Sequence, residues 1–131
     1  MVAAAGNNFG GLPTRHIVYP ARYHRVLAAC GVMADDTPYD GLGHRQIQGN
    51  FGPESSMTAA LSTYTPNIPW AVFGCGSTVR LNGEGTSAAT PQIAAAVALW
   101  YEKYKSFLSR DWHRVEAVRH ALFTSAKRLS A

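Results

Sequence analysis

The run GTSAATPQIAAAVALW, Gly85 to Trp100, constrains this chain more than any other segment. Small and apolar residues fill nearly every position, so a helix built from it has no polar face to turn to water and needs neighbours on most of its circumference. Ala94, Ala95, Ala96 and Ala98 add little bulk and let those neighbours come close. The run is far too short to span a bilayer, so the cover has to be protein. Its start is unusual. Gly83 and Gly85 permit a sharp turn and a close backbone approach, and Thr86 is placed to cap the helix. Ser87 then falls in the first turn, where free N–H groups and the positive end of the dipole favour an anion. A serine there suits nucleophilic attack, because the oxyanion that forms meets that helix end. Pro91 removes a backbone donor and presses on the carbonyl four residues earlier, which predicts a kinked first turn. On Gly-Thr-Ser alone an ordinary capped helix is the favoured reading.

Upstream, Val2 to Ala5 reads as a short buried strand that runs into the loop GNNFGG, with Pro13 and Pro20 beyond it. Val26 to Val32 is a continuous apolar run, the mark of a strand covered on both faces in a parallel sheet. Met33 to Pro53 is polar and glycine-rich and reads as a long surface loop. Ser56 to Tyr64 is a third strand. Pro69 to Leu81 splits at Gly74-Cys75-Gly76 into two β-like pieces, a hairpin. The apolar helix runs from Thr86 to Phe107. Asp111 caps a last helix in which Trp112, Val115, Val118 and Leu122 form one stripe. Strands followed by a deeply buried helix indicate an α/β layer fold. Three strands and two helices do not cover both faces of a parallel sheet, so the count reads as part of a larger domain.

The chain has 131 residues, enough for one core but not two. Apolar residues make up 47%, which excludes a disordered chain. The net charge of +4 is spread out, and its densest part, Lys103 to Arg128, lies on helical sequence. No basic tract is interleaved with aromatics, so neither nucleic acid nor a membrane is expected as a partner. Cys30, inside VLAACGV, reads as a small buried hydrophobe. Two cysteines make no disulfide framework, although one Cys30–Cys75 bridge stays open. MVAAAGNN lacks the basic and apolar regions of a signal peptide, and the compartment stays open.

The string GTSAATPQIAAAVAL closely resembles the active-serine motif of the subtilisin-like serine proteases, Gly-Thr-Ser-x-Ala-x-Pro-x-Val/Ile-Ala-Gly. Gly85, Thr86, Ser87, Ala89, Pro91, Ile93 and Ala94 match it, and Ala95 stands where glycine is usual. VAAAGNN resembles the strand end that carries the family's oxyanion asparagine, here Asn7. YPARYHRVLAACGV resembles the stretch bordering the primary specificity pocket, GNFGP the turn after it, and VRHALFTSAKRL a helix near the end of the catalytic domain.

The resemblance implies a fold, a role and a site. The fold is the C-terminal part of a three-layer α/β domain, with a mostly parallel sheet and a buried central helix. Residues 1–131 would form a partial peptidase domain of a serine endopeptidase. Ser87 would be the nucleophile, and Asn7 would donate to the oxyanion beside the Ser87 N–H. Ala3, Ala4 and Ala5 would form one wall of the pocket for the side chain before the scissile bond, with Asn8 at its rim and Val18 at its floor. The substrate would be a polypeptide. The family's Asp and His motifs precede the asparagine block, so an N-terminal half carrying both is the implied partner, and the chain alone would be inactive. Its uncovered sheet edge would favour self-association. Calcium is common in the family, but no carboxylate-rich loop stands out here.

Residues within the chain are poor substitutes for the missing base. His44, in DGLGHRQ, lacks the His-Gly-Thr-His setting, and His16, His24, His113 and His120 read as exposed. Two other readings stay open. One is a non-catalytic subtilase-like module that binds or supports structure. The other is a different hydrolase, disfavoured because no Gly-x-Ser-x-Gly elbow occurs.

Overall fold

The apolar run in the middle of the chain forms strand β3 (Leu27–Val32), flanked by β1 (Val2–Ala4) and β5 (Ala60–Tyr64), each parallel to it. The computed structural model describes residues 1–8, 15–41 and 47–129; His44 lies outside them. Side chains alternate across a strand, and β3 shows why its run is apolar throughout. Ala28 and Cys30 face a cluster with Ala5, Ile17 and Ala21. Ala29 faces the other way, onto Ala89 and Ile93. Both faces are buried from Leu27 to Gly31, which fits a run without polar side chains.

Ala89 and Ile93 belong to helix α2 (Gly85–Tyr104), which packs across β1, β3 and β5. The helix runs as one element through Pro91. Only Gly85, Thr86, Ala89 and Ile93 are buried, a single stripe of three- and four-residue steps. The expectation of burial nearly all round is therefore corrected: Ala94, Ala95, Ala96, Ala98 and Leu99 are exposed. Among the described residues the sheet covers one side of α2, and little covers the other.

Two more expectations change. The segment expected as strand from Ser56 begins instead in a short helix, α1 (Glu54–Met57). Pro53 supplies a fixed φ of −61° at its N-cap, and Glu54 sits favourably in the first turn. The polar stretch from Met33 to Pro53 is not simply a surface loop. It contains β4 (Gln48–Gly49), paired antiparallel with β2 (Asn7–Asn8), and the fully buried Tyr39.

The expected hairpin is present as β6 (Ile68–Ala71) and β7 (Val79–Gly83). Cys75 is exposed in its turn and Cys30 is buried in β3; both are free thiols, so the bridge left open does not form. After a 3-10 turn at Lys105–Phe107 comes α3 (His113–Ser125). Its N-cap is Trp112, which makes no side-chain capping bond, and not the expected Asp111; Asp111, one residue earlier, accepts the His113 N–H at 2.9 Å. Of the expected stripe only Val118 is buried. Among the described residues no helix is long and apolar enough to cross a membrane.

Candidate active site

The C-terminal ends of parallel strands and the N-terminus of α2 meet at one point. Beyond β1, Gly6 takes a φ of +103°, and β2 carries Asn7 back alongside Gly49. A Cβ on Gly6 would lie 2.8 Å from a Val18 methyl and 2.9 Å from the Asn50 amide nitrogen, so only glycine fits. On the other side β7 feeds straight into α2. Glu84 is the N-cap, extended at φ −148°, and its side chain makes no capping bond. Gly85 follows with φ +73°.

The cap comes from elsewhere in the chain. Asn7 Oδ1 accepts the Thr86 N–H at 2.9 Å and the Thr86 hydroxyl at 3.2 Å. Thr86 Oγ1 in turn accepts the Gly6 N–H at 3.1 Å. Thr86 is thus not the N-cap that the sequence suggested. It lies inside the first turn, fully buried, and locks β2 to the helix. A backbone N–H only donates, so the amide atom facing it must be oxygen. The Nδ2 group of Asn7 is thereby aimed away from Thr86.

Ser87 is exposed on the same turn. Among the described residues no side-chain hydrogen bond holds its hydroxyl. Pro91 has no N–H to give the Ser87 carbonyl four residues earlier. The carbonyls on either side are met by side chains: Thr90 Oγ1 donates to Thr86 O and Gln92 Nε2 to Ala88 O, each at 2.9 Å.

The residues expected to form a substrate pocket lie near one another. The Val18 N–H donates to the Ala5 carbonyl at 2.9 Å, and Val18 is 45% exposed beside Gly6. Ala3 and Ala4 are partly buried. Ala5 is fully buried in the core cluster, and Asn8 is only 3% exposed.

His16, His24, His113 and His120 are all exposed, and none bonds to Ser87. His113 instead pairs with Asp111, Nδ1 to Oδ1, at 2.9 Å. The Ser109 hydroxyl and then His113 hold the Asp111 carboxyl down at about 2. That pair lies at the start of α3. Among the described residues no three of His, Cys, Asp or Glu come together, so the carboxylate cluster that calcium would need is not found among them.

Sequence reasoning missed three side chains. Tyr39 donates its hydroxyl to Glu84 Oε2 at 2.9 Å. Arg15 Nη2 donates to the carbonyls of Gly49 and Tyr39 at 2.8 and 2.9 Å, and its guanidinium lies 5.0 Å above the Phe51 ring. The one available signal was Glu84, a long side chain at a position that favours short capping ones.

Known proteins share both sequence and fold with this chain. It is 34% identical over 115 residues to the thermostable alkaline protease of Halalkalibacterium halodurans, a match spanning 85% of this chain and 26% of that protein. It is 29% identical over 130 residues to subtilisin DY of Bacillus licheniformis, spanning 98% and 40%. The prenylagaramide maturation protease PagA superimposes with a TM-score of 0.73 at 26% identity, over 98% of this chain and 41% of that one. The patellamide maturation protease PatA gives 0.72 at 29% identity, over 99% and 42%. The chain therefore spans about two fifths or less of these relatives. These structures share the α/β fold seen here, and the model of the subtilase family matches residues 1–131. The chain belongs to the subtilase family.

Proposed function

We propose that residues 1–131 supply the nucleophile and the oxyanion-binding half of a subtilase-type serine endopeptidase. Ser87 Oγ attacks the scissile carbonyl, forming a C–O bond while its proton passes to a base. The negative charge on the carbonyl oxygen is met by the Ser87 N–H and the Asn7 amide. The intermediate collapses, the C–N bond breaks, and the leaving amine takes up the proton. Water then releases the acyl group from Ser87. The observation that carries this reading is the 2.9 Å bond from Thr86 N–H to Asn7 Oδ1. It sets the amide's donor end apart from its acceptor end, next to the turn bearing Ser87.

No described residue is bonded so as to act as the base. By the family resemblance an N-terminal half with Asp and His supplies it, and the substrate is a polypeptide. Ala3, Ala4, Ala5, Asn8 and Val18 would border the pocket for the residue before the cut. The alternative, a non-catalytic binding or structural module, gives no reason for an exposed serine beside an oriented amide.

The test compares the 131-residue chain with a polypeptide that also carries the Asp and His motifs, on chromogenic peptides, with Ser87→Ala as control. Turnover by the longer polypeptide alone, abolished in the control, is expected. Turnover by the short chain that vanishes in Ser87→Ala would place a base within these residues. Inactivity of both favours the non-catalytic module.

A further inference from the structure

Glu84 occupies the N-cap of α2 without capping it, because Asn7 already meets the Thr86 N–H. Its carboxylate serves Tyr39 instead, at 2.9 Å. Tyr39 is the largest fully buried side chain among the described residues, 0% exposed. Its backbone is tied down on several sides. Its N–H donates to Gly31 O at 2.9 Å, and its carbonyl accepts the Gly49 N–H at 2.8 Å and Arg15 Nη2 at 2.9 Å. A Cβ on Gly31 would lie 3.0 Å from the Tyr39 Cβ, so the base of this side chain sits close against the central strand. A fully buried ring on a backbone held at these points makes its hydroxyl a fixed point referred to β3.

The residue after Glu84 is Gly85, at φ +73°, and Ser87 is two further on. Glycine has the widest torsional freedom of any residue, so the setting of this turn depends on what holds its two ends. Asn7 holds the helix side at Thr86. We propose that Tyr39 is a positioning residue for Ser87, acting through the carboxylate of Glu84, which it holds on the strand side of Gly85. The proposal rests on the reading of Ser87 as nucleophile. When the Tyr39 hydroxyl is removed, Glu84 turns to water and the Gly85 torsion is fixed from one end only. A shift of about 1 Å in a nucleophile costs on the order of a hundredfold in rate at most, and a looser ensemble costs less.

Two measurements test this. In the 131-residue chain, Tyr39→Phe keeps the ring and removes one oxygen. Amide exchange at Thr86, whose N–H is held by Asn7, is expected to speed up about tenfold, with Ala28 to Cys30 unchanged. In the active peptidase that contains these residues, Tyr39→Phe is expected to lower kcat about tenfold with KM unchanged. Glu84→Ala should do the same, and the double variant should be no worse than either single one. Glu84→Gln still accepts a hydrogen bond and should keep near-normal kcat. Unchanged exchange at Thr86, faster exchange spread over the whole sheet, or additive losses in the double variant would overturn the proposal. Ser87→Ala separates the two ideas. If it keeps turnover, the nucleophile reading fails while the exchange data still decide whether Tyr39 orders the turn. If it abolishes turnover but Tyr39→Phe leaves kcat intact, the positioning role alone fails.

Discussion

The side-chain oxygen of Asn7 caps a helix whose buried Thr86 lies 79 positions later, at 2.9 Å. One end of this amide is a structural cap, and the other faces away as a hydrogen-bond donor. The two ends are separable by mutation.

Asn7→Asp keeps an acceptor for the Thr86 N–H, at a helix end that favours negative charge, and removes the donor. We expect near-normal stability with kcat lowered by about 10²–10³-fold, the usual effect of losing one oxyanion donor. Asn7→Ala loses both ends, and should add a loss of about 1 kcal/mol of stability for the missing cap. Thermal melts beside kinetics on the active peptidase check this. Equal stability loss in both variants would show that the acceptor end is not a cap.

Gly85→Ala should be costly. Its φ of +73° is strained for any side chain, and the new Cβ would stand 2.9 Å from Asn7 Oδ1. A loss of about 1 to 3 kcal/mol is expected from backbone strain, with further loss as Asn7 is pushed off Thr86. Chemical denaturation of the variant checks it, and a change below about 0.5 kcal/mol, the ordinary range for surface substitutions, would contradict it.

The two thiols should differ sharply. Burial pushes Cys30 from its ordinary 9.0 up to about 12, so it stays a neutral thiol at pH 8. Cys75 is exposed in the hairpin turn. Maleimide at pH 8 should label Cys75 alone in the native chain and both cysteines in denaturant. The sign of the pH effect follows. Between pH 9 and 12 the folded chain holds a proton that the unfolded chain releases, so this group's contribution is complete below 9 and falls as pH rises. Cys30→Ala should flatten that part of the stability–pH profile.

The exposed apolar surface should drive association. Leu99 on α2 is 73% exposed, and β1 and β5 are both sheet edges. Sedimentation of the 131-residue chain should show concentration-dependent species, reduced by Leu99→Lys. A monodisperse monomer at all concentrations would count against this.

Substrate preference should be apolar before the scissile bond. Ala3, Ala4, Ala5, Asn8 and Val18 bring no charge, so a Lys or Arg side chain would lack a partner. A peptide-library profile of the active peptidase should favour residues of medium size such as Leu. Val18→Gly should move it toward larger aromatics. Dominant cleavage after Arg or Lys would contradict the assignment.

Ser87 and Asn7 stood out as candidates because each sits in a short string with a recognisable order of residue types, and the structure brings Asn7 to Thr86, the neighbour of Ser87. The strand at Leu27–Val32 was legible because both of its faces are buried and every position shows it. Tyr39 was not. A lone aromatic between Pro38 and Asp40 carries no period, and its partners, Gly31, Gly49 and Glu84, are scattered through the chain. Ser56 and Met57 read as strand, but Pro53 and Glu54 start a helical turn first. The apolar character of α2 was plain, yet composition alone does not say which neighbours are close enough to cover it.

The β6–β7 hairpin has a consequence of its own. No residue from 67 to 82 is buried, and Phe73 in its turn is fully exposed. Outside the cross-strand bonds, its turn is held only by a few backbone contacts among Val72, Cys75 and Thr78. Exposed turns of this kind are preferred sites of proteolytic nicking. A cut there would sever β6 from β7 ahead of Glu84, Gly85 and Ser87, and leave Ser87 on a helix whose lead-in strand β7 is no longer covalently joined to β6. The exposure of this turn thus sets how long β7 stays anchored ahead of Ser87 when a protease is present.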